Sequence, residues 1–350
     1  MWVASLPSPK SPKPLAVIFG CSGLKLTDAE RAFFSDVNPL GFILFQRNCQ
    51  DPDQVRALVA DLGDCVGRVE APILIDQEGG RVARLKPPHW PEFPAAQAYA
   101  DLYAQDQDAG LEAAKLGGRL IAHELDLVDV TVDCAPVLDV PQAGADPIIG
   151  DRAFGPNPAT IAALSKAFMD GLMAGNVAPV VKHIPGHGRA LVDSHLALPT
   201  VDTSLDQLQA VDFAPFKALH MAHWAMTAHV IYTVLDADNP ATTSALIIKD
   251  VIRKHIGFQG VLLSDDLSMK ALSGSFAERT QACLAAGCDV ALHCNGEMEE
   301  MVQVASGAKP MTRAAWARYK VGEVHRRTIR REFDANVARD RFDTLLKALD

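Results

Sequence analysis

Apolar residues in this chain gather in short unbroken runs more than they alternate with polar ones. Eight runs stand out: AVIFG at 16–20, GFILF at 41–45, PILID at 72–76, VTVDCAPVLDV at 130–140, APVVKH at 178–183, WAMTAHV at 224–230, GVLLSDD at 260–266 and DVALHCN at 289–295. A strand that is apolar on both faces is buried on both, which predicts a parallel sheet. Between the runs lie amphipathic or Ala-rich stretches of helical length, such as 51–63, 111–125, 157–175 and 275–287. Strand and helix alternate along the chain, and that alternation predicts an α/β fold.

The first and last runs begin at 16 and 289, which spaces the eight units by about 39 residues and fits a (β/α)8 TIM-type barrel with loop insertions. A doubly wound open sheet is the competing architecture. Its phosphate fingerprint is absent, because the first run continues as FGCSGLKLT without GxGxxG. The 350 residues therefore read as one barrel with its core at about 16–300 and a Pro/Ser/Lys-rich N-terminal tail at 1–14. A single charged C-terminal helix is expected over 311–349, with Arg326, Arg327, Arg330 and Arg331 on a solvated face against the outside of the barrel.

Composition agrees with a large core: 49% of residues are hydrophobic and 22% charged. The formal charge of −10 gives no footprint for gripping nucleic acid or an anionic membrane. The longest apolar stretch, 218–235, is interrupted by His220, His223 and His229, and the N-terminal residues lack the apolar run of a secretion signal. Seven cysteines, an odd number with no CxxC pair, read as reduced core residues of a cytoplasmic protein.

In a barrel, chemistry gathers where strands end at their carboxyl termini. Five runs end in polar groups: Asp76; Lys182 and His183; His229; Asp265 and Asp266; Cys294 and Asn295. Around the Gly79–Gly80 pair, Asp76 and Glu78 stand near Arg81 and Arg84, which lie three apart and could share a helical face. That group reads either as a buried ion-pair network or as an Asp that accepts sugar hydroxyls, backed by an Arg. His183 and His187 have the spacing of a zinc helix, but Pro185 and Gly186 between them break such a helix. Gly186 and Gly188 instead predict a mobile loop, on which Asp193 and His195 can orient each other for proton transfer. Of Asp265 and Asp266, strand parity alone does not say which points inward, because both faces of that strand are apolar.

Together DQEGGRVAR, KHIPGHG followed by DSH, and GVLLSDDLSM resemble, in order and over about residues 16–300, the bacterial β-N-acetylglucosaminidases of glycoside hydrolase family 3. More narrowly, they resemble the cytoplasmic members that recycle peptidoglycan. The resemblance implies a retaining exo-glycosidase that releases terminal β-N-acetylglucosamine from GlcNAc-1,6-anhydro-MurNAc peptides. It implies no cofactor and no metal. The expected partner is that small-molecule substrate, with no nucleic acid and no membrane, and the expected solution state is a monomer or weak dimer. Carried over motif by motif, it makes Asp265 the nucleophile and His195 the acid/base with Asp193 as its partner. It makes Asp76, Arg84, Arg152, Lys182 and His183 the sugar contacts.

Retaining glycosidases usually pair two carboxylates, and the residues alone would nominate Asp76 or Glu78 as the acid. Many larger family members supply the acid from a second domain. Here only about 55 residues follow the eighth run, so the acid/base is expected on a barrel loop. The sequence departs from the family at Ile184, where Phe is usual, at Gln77, where many have His, and at Arg189, where Asp is common. Two rivals remain at this point. One is a sugar-binding or regulatory protein on a decayed barrel, which loss of Asp265, Asp193 or His195 would have favoured. The other is a metal-dependent hydrolase using His183, His187, His229 and Asp265.

Overall fold

Each of the eight apolar runs forms a strand in the computed structural model, which describes residues 13–347. The strands are β1 (Leu15–Phe19), β2 (Pro39–Leu44), β3 (Ile73–Ile75), β4 (Val132–Asp133), β5 (Ala178–Ile184), β6 (Trp224–Thr227), β7 (Val261–Asp266) and β8 (Val290–His293). All pair in parallel, each with its sequence neighbours. β8 returns to β1 with Val17 opposite Ala291, which closes the barrel. Most of the expected tail, residues 1–12, lies outside the described residues.

Two apolar clusters separate the faces of the strands. One takes residues from all eight, alternate ones except in β2, where the register shifts: Ala16 and Ile18, Leu40 and Ile43, Leu74, Val132, Ala178 and Val180, Trp224 and Met226, Val261 and Leu263, Val290 and Leu292. This is the barrel interior. The opposite parity, including Phe19, Phe42, Ile75, Val181 and Leu262, joins the surrounding helices in the larger cluster. The helices start where the sequence offers caps. Asp51 accepts from Gln54 N–H ahead of Pro52–Cys65, Asn157 caps Pro158–Ala174, and Ser275 forms a capping box with Glu278 ahead of Phe276–Ala286.

The C-terminal expectation requires correction. Two helices, Arg313–Thr328 and Ala335–Leu346, stand where one was expected. The break holds the chain against neighbouring helices: Arg331 N–H donates to Ala174, Arg119 donates to the Arg331 carbonyl, and the Arg119 guanidinium covers the Phe333 ring at 3.9 Å. Nor does the first of these helices lie on the outside of the barrel. Met311, Ala315 and Tyr319 join the interior cluster, with Tyr319 edge-on to Trp224 at 6.0 Å, so this helix forms the floor of the barrel. Arg326 is not on a solvated face either. It is buried, pairs with Glu323 at 2.8 Å and donates to the Asn176 carbonyl at 2.7 Å. No helix among the described residues is long and apolar enough to cross a membrane.

Candidate active site

The interior parity carries upward from the apolar layers to the carboxyl ends of the strands. Leu74 leads to Asp76, Val180 to Lys182, Ile43 to Phe45, and Leu263 to Asp265. Strand geometry therefore aims these four side chains into one mouth. The cavity there has a volume of about 180 Å³, and Glu78, Arg84, Arg152, His183, His187 and His195 also line it. The parity left open in the sequence is resolved here: Asp265 follows the interior residues Val261 and Leu263. Asp266 fastens a loop, its carboxylate accepting from Ser268 N–H at 3.0 Å and from Cys294 N–H at 3.1 Å.

On one wall the charges interlock. Lys182 Nζ stands 2.9 Å from Asp76 and 2.6 Å from Glu78, Arg84 binds Asp76 at 2.9 Å, and Arg152 grips Glu78 through two bonds of 2.9 Å. Burial would raise the acids, but the cations outweigh it. Arg152 and Lys182 hold Glu78 down at about 2, and Lys182 and Arg84 hold Asp76 below the usual carboxylate range. The buried ion-pair network that was one of the two readings of this group is present, and it also lines the cavity.

Arg81 and Arg84 do not share a helical face as the sequence suggested, because the chain is not helical there. Arg81 turns out to Asp151 at 3.1 Å while Arg84 turns in. The guanidinium groups of Arg47 and Arg84 lie 5.0 and 5.1 Å from the Phe45 ring. Gln77, at one of the departures from the family, pins the loop by accepting from Arg84 N–H at 2.8 Å and Leu85 N–H at 3.0 Å. Arg189, at another, pairs with Asp212 at 2.7 Å.

Facing this wall, the Asp265 carboxylate lies below its ordinary range. Burial alone would raise it, and the nearby His183 and His229 and the N–H of Asp266 outweigh burial. His195 Nδ1 is 2.7 Å from Asp193 Oδ1. An ionised carboxylate only accepts, so Nδ1 carries the proton of that bond and Nε2 is left free at the cavity. The His195 side chain is 60% exposed, which leaves it open to solvent at the mouth.

Asp139 is absent from the sequence-based site. Fully buried, it accepts from His183 Nδ1 at 2.6 Å, from His183 N–H at 3.2 Å and from His187 N–H at 2.6 Å. The only signal for it was its place near the end of the apolar run 130–140. His187 is buried too, with Nε2 at 3.1 Å from Ser194 Oγ and Nδ1 without a partner among the described residues. Gly186 and Gly188, at the start of the expected mobile loop, are points of close approach. A Cβ on Gly188 would meet the Val140 carbonyl at 2.0 Å. Of the imidazoles in the metal-dependent rival, His183 meets Asp139 through Nδ1, His187 meets Ser194 through Nε2, and His229 has both nitrogens taken, by Thr242 at 2.7 Å and the Asp266 carbonyl at 3.1 Å.

Similarity to known proteins agrees with this geometry. Residues 11–324 match the Glycosyl hydrolase family 3 N terminal domain. The chain is 40% identical over 282 residues to a β-hexosaminidase of Methylococcus capsulatus, covering 79% of this chain and 82% of that protein. It is 39% identical over 298 residues to a β-hexosaminidase of Actinobacillus pleuropneumoniae, covering 83% and 84%. Among solved structures, NagZ of Neisseria gonorrhoeae in complex with N-trifluoroacetyl-D-glucosamine superposes with a TM-score of 0.85 at 32% identity, covering 95% of this chain and 98% of that one. The chain belongs to glycoside hydrolase family 3. Within it, the chain is a β-N-acetylhexosaminidase of the NagZ type.

Proposed function

We propose that the protein is a retaining exo-β-N-acetylglucosaminidase that removes terminal, non-reducing N-acetylglucosamine from peptidoglycan turnover fragments, the GlcNAc-1,6-anhydro-MurNAc peptides. The observation that carries the reading is Asp265, an ionised carboxylate on the barrel interior, placed in one cavity with the free Nε2 of His195. A cavity of about 180 Å³ is small beside the ~300–1,000 Å³ of drug-sized sites, which suits a single sugar ring taken from a chain end. The Neisseria relative bears an N-acylglucosamine derivative, which supports a glucosamine-type glycon.

In this mechanism Asp265 attacks the anomeric carbon, and the bond from that carbon to the leaving oxygen breaks as the His195 imidazolium, its Nδ1–H held by Asp193, gives its Nε2 proton to that oxygen. A water then gives its proton to His195 and displaces Asp265, so the configuration is retained. Asp193 holds the imidazole in the tautomer that leaves Nε2 for the substrate. Asp76 and Glu78 are unsuited to be the acid, since their cation partners keep them ionised. Asp76, Arg84, Arg152, Lys182 and His183 instead hold sugar hydroxyls and the acyl group. The free thiols suit a reducing compartment such as the cytoplasm.

Asp265→Ala and His195→Ala test the assignment. With a 4-nitrophenyl β-N-acetylglucosaminide, Asp265→Ala is expected to lose more than ~10³-fold in kcat. His195→Ala is expected to lose ~10²–10⁴-fold in kcat/KM on an unactivated disaccharide and much less on the aryl glycoside. Near-normal turnover by Asp265→Ala would remove it as the nucleophile.

A further inference from the structure

The acid/base loop must hold His195 still although its imidazole stands largely in solvent. Its neighbour Ser194 is the opposite case, 4% exposed with its hydroxyl 3.1 Å from His187 Nε2. His187 is itself 3% exposed, and its own N–H donates to the fully buried Asp139 at 2.6 Å. The Asp139 carboxylate also takes Nδ1 of His183, one of the proposed sugar contacts. One buried carboxylate therefore anchors both the sugar-binding wall and the histidine that meets the loop.

We infer that the His187–Ser194 contact is a latch that positions the Asp193–His195 dyad over the anomeric centre, with Asp139 as its anchor. His187 and Ser194 both line the cavity, but His187 Nε2 and Ser194 Oγ are spent on each other, so they are read as positioning residues. The inference rests on the reading of His195 as the acid/base.

Two features make the contact suited to this work. Ser194 lies between Asp193 and His195 in the chain, so fixing its hydroxyl fixes the backbone from which both dyad side chains project. The segment's other ties to neighbouring elements include some upstream of the dyad: Gln142 N–H to the Gly188 carbonyl at 3.0 Å, the Arg189–Asp212 pair at 2.7 Å and Asp146 N–H to the Ala190 carbonyl at 2.8 Å. Burial, reinforced by the adjacent His183, holds the His187 imidazole down at about 4, so it stays neutral and its bond to the hydroxyl persists through the neutral range.

The test compares Ser194→Ala, Ser194→Thr, His187→Leu and His187→Gln in the full chain. Thr keeps the hydroxyl, and the Gln amide can reach Ser194 in place of Nε2. Each variant is assayed for kcat/KM on an unactivated β-N-acetylglucosaminyl disaccharide and on the 2,4-dinitrophenyl glycoside, and for inhibition by free N-acetylglucosamine. A misplacement of ~1 Å costs up to ~10²-fold in rate, so Ser194→Ala and His187→Leu are expected to lose about 10- to 100-fold on the disaccharide. Much less is lost on the dinitrophenyl glycoside, whose departure needs no proton, and inhibition by the sugar shifts far less than the rate on the disaccharide. Ser194→Thr and His187→Gln recover most of the loss, and the double variant Ser194→Ala/His187→Leu is no worse than either single one. Equal losses on both substrates, or additive losses in the double variant, overturn the latch. His195→Ala separates the two readings: if it too lacks leaving-group dependence, the acid/base assignment itself fails. If it shows that dependence and the latch variants do not, only the latch fails.

Discussion

A single buried carboxylate does much of the organising at this site. Asp139 accepts three N–H groups from two residues that face the cavity, and an amide in its place offers only one oxygen. Asp139→Asn is therefore expected to strand at least one buried donor and cost about 3 kcal/mol of stability, measured by urea denaturation. It should also raise KM, because His183 loses the partner that fixes its ring. Asp139 was not legible in the sequence for a physical reason: an Asp inside Val-Leu-Asp-Val has the look of a strand interrupted, and nothing local says which donors will reach it. Asp76 and Lys182 were legible because each directly follows an unbroken apolar run, and Asp265 because only Ser264 separates it from one; in a parallel barrel that position is the active end. The exclusion of Glu78 as an acid depends on Arg152, 74 residues away, and spacing along the chain cannot reveal it.

For elements, legibility followed the strength of the hydrophobic signal. The eight strands were readable because both of their faces are buried, although hydrogen bonding narrows the long run at 130–140 to Val132–Asp133. The C-terminal region misled because 329–334 holds no Pro or Gly to announce a break, and the interruption comes from docking onto Arg119 and Ala174. Its first helix is a floor more than a wrapper. Truncating Tyr319 to Ala removes a ring that packs against Trp224 and Trp316 beneath the barrel, and it is expected to cost about 3–5 kcal/mol. Because the floor lies at the end opposite the cavity, kcat at a temperature where the variant stays folded should be within about two-fold of the parent, since separated sites act nearly independently.

Across the whole molecule, the site's carboxylates and His187 couple stability to pH with one sign and Asp212 with the other. Glu78, Asp76, Asp139 and Asp265 lie below their ordinary values in the fold, so their stabilisation is complete above the normal carboxylate range. It is lost as pH falls through the folded values, about 2 for Glu78. His187, lowered to about 4, binds its proton more readily in the unfolded chain, so its contribution is complete above ~6.5 and is lost as pH falls toward 4. Asp212, raised by burial to about 6, works against it in part of the same window. Replacing His187 by Gln isolates the one term. The stability advantage of the parent over the variant should shrink by up to about 3 kcal/mol between pH 7 and pH 4, read as urea midpoints at each pH. A constant difference would mean that His187 is not held neutral.

The way the barrel closes bears on how the protein is made. β1 pairs with β8, Ala16 N–H donates to the Lys309 carbonyl and Met311 N–H to that of Pro14, so the first strand finds its second neighbour and its floor only in residues near 290–311. During synthesis, then, β1 and β2 emerge early and wait with an open edge until almost the whole chain has left the ribosome. Through that interval the apolar interior has neither lid nor base. The ring is completed late, by contacts of the longest sequence separation the fold contains, and the open strand edges before that moment are where a chaperone would find its substrate.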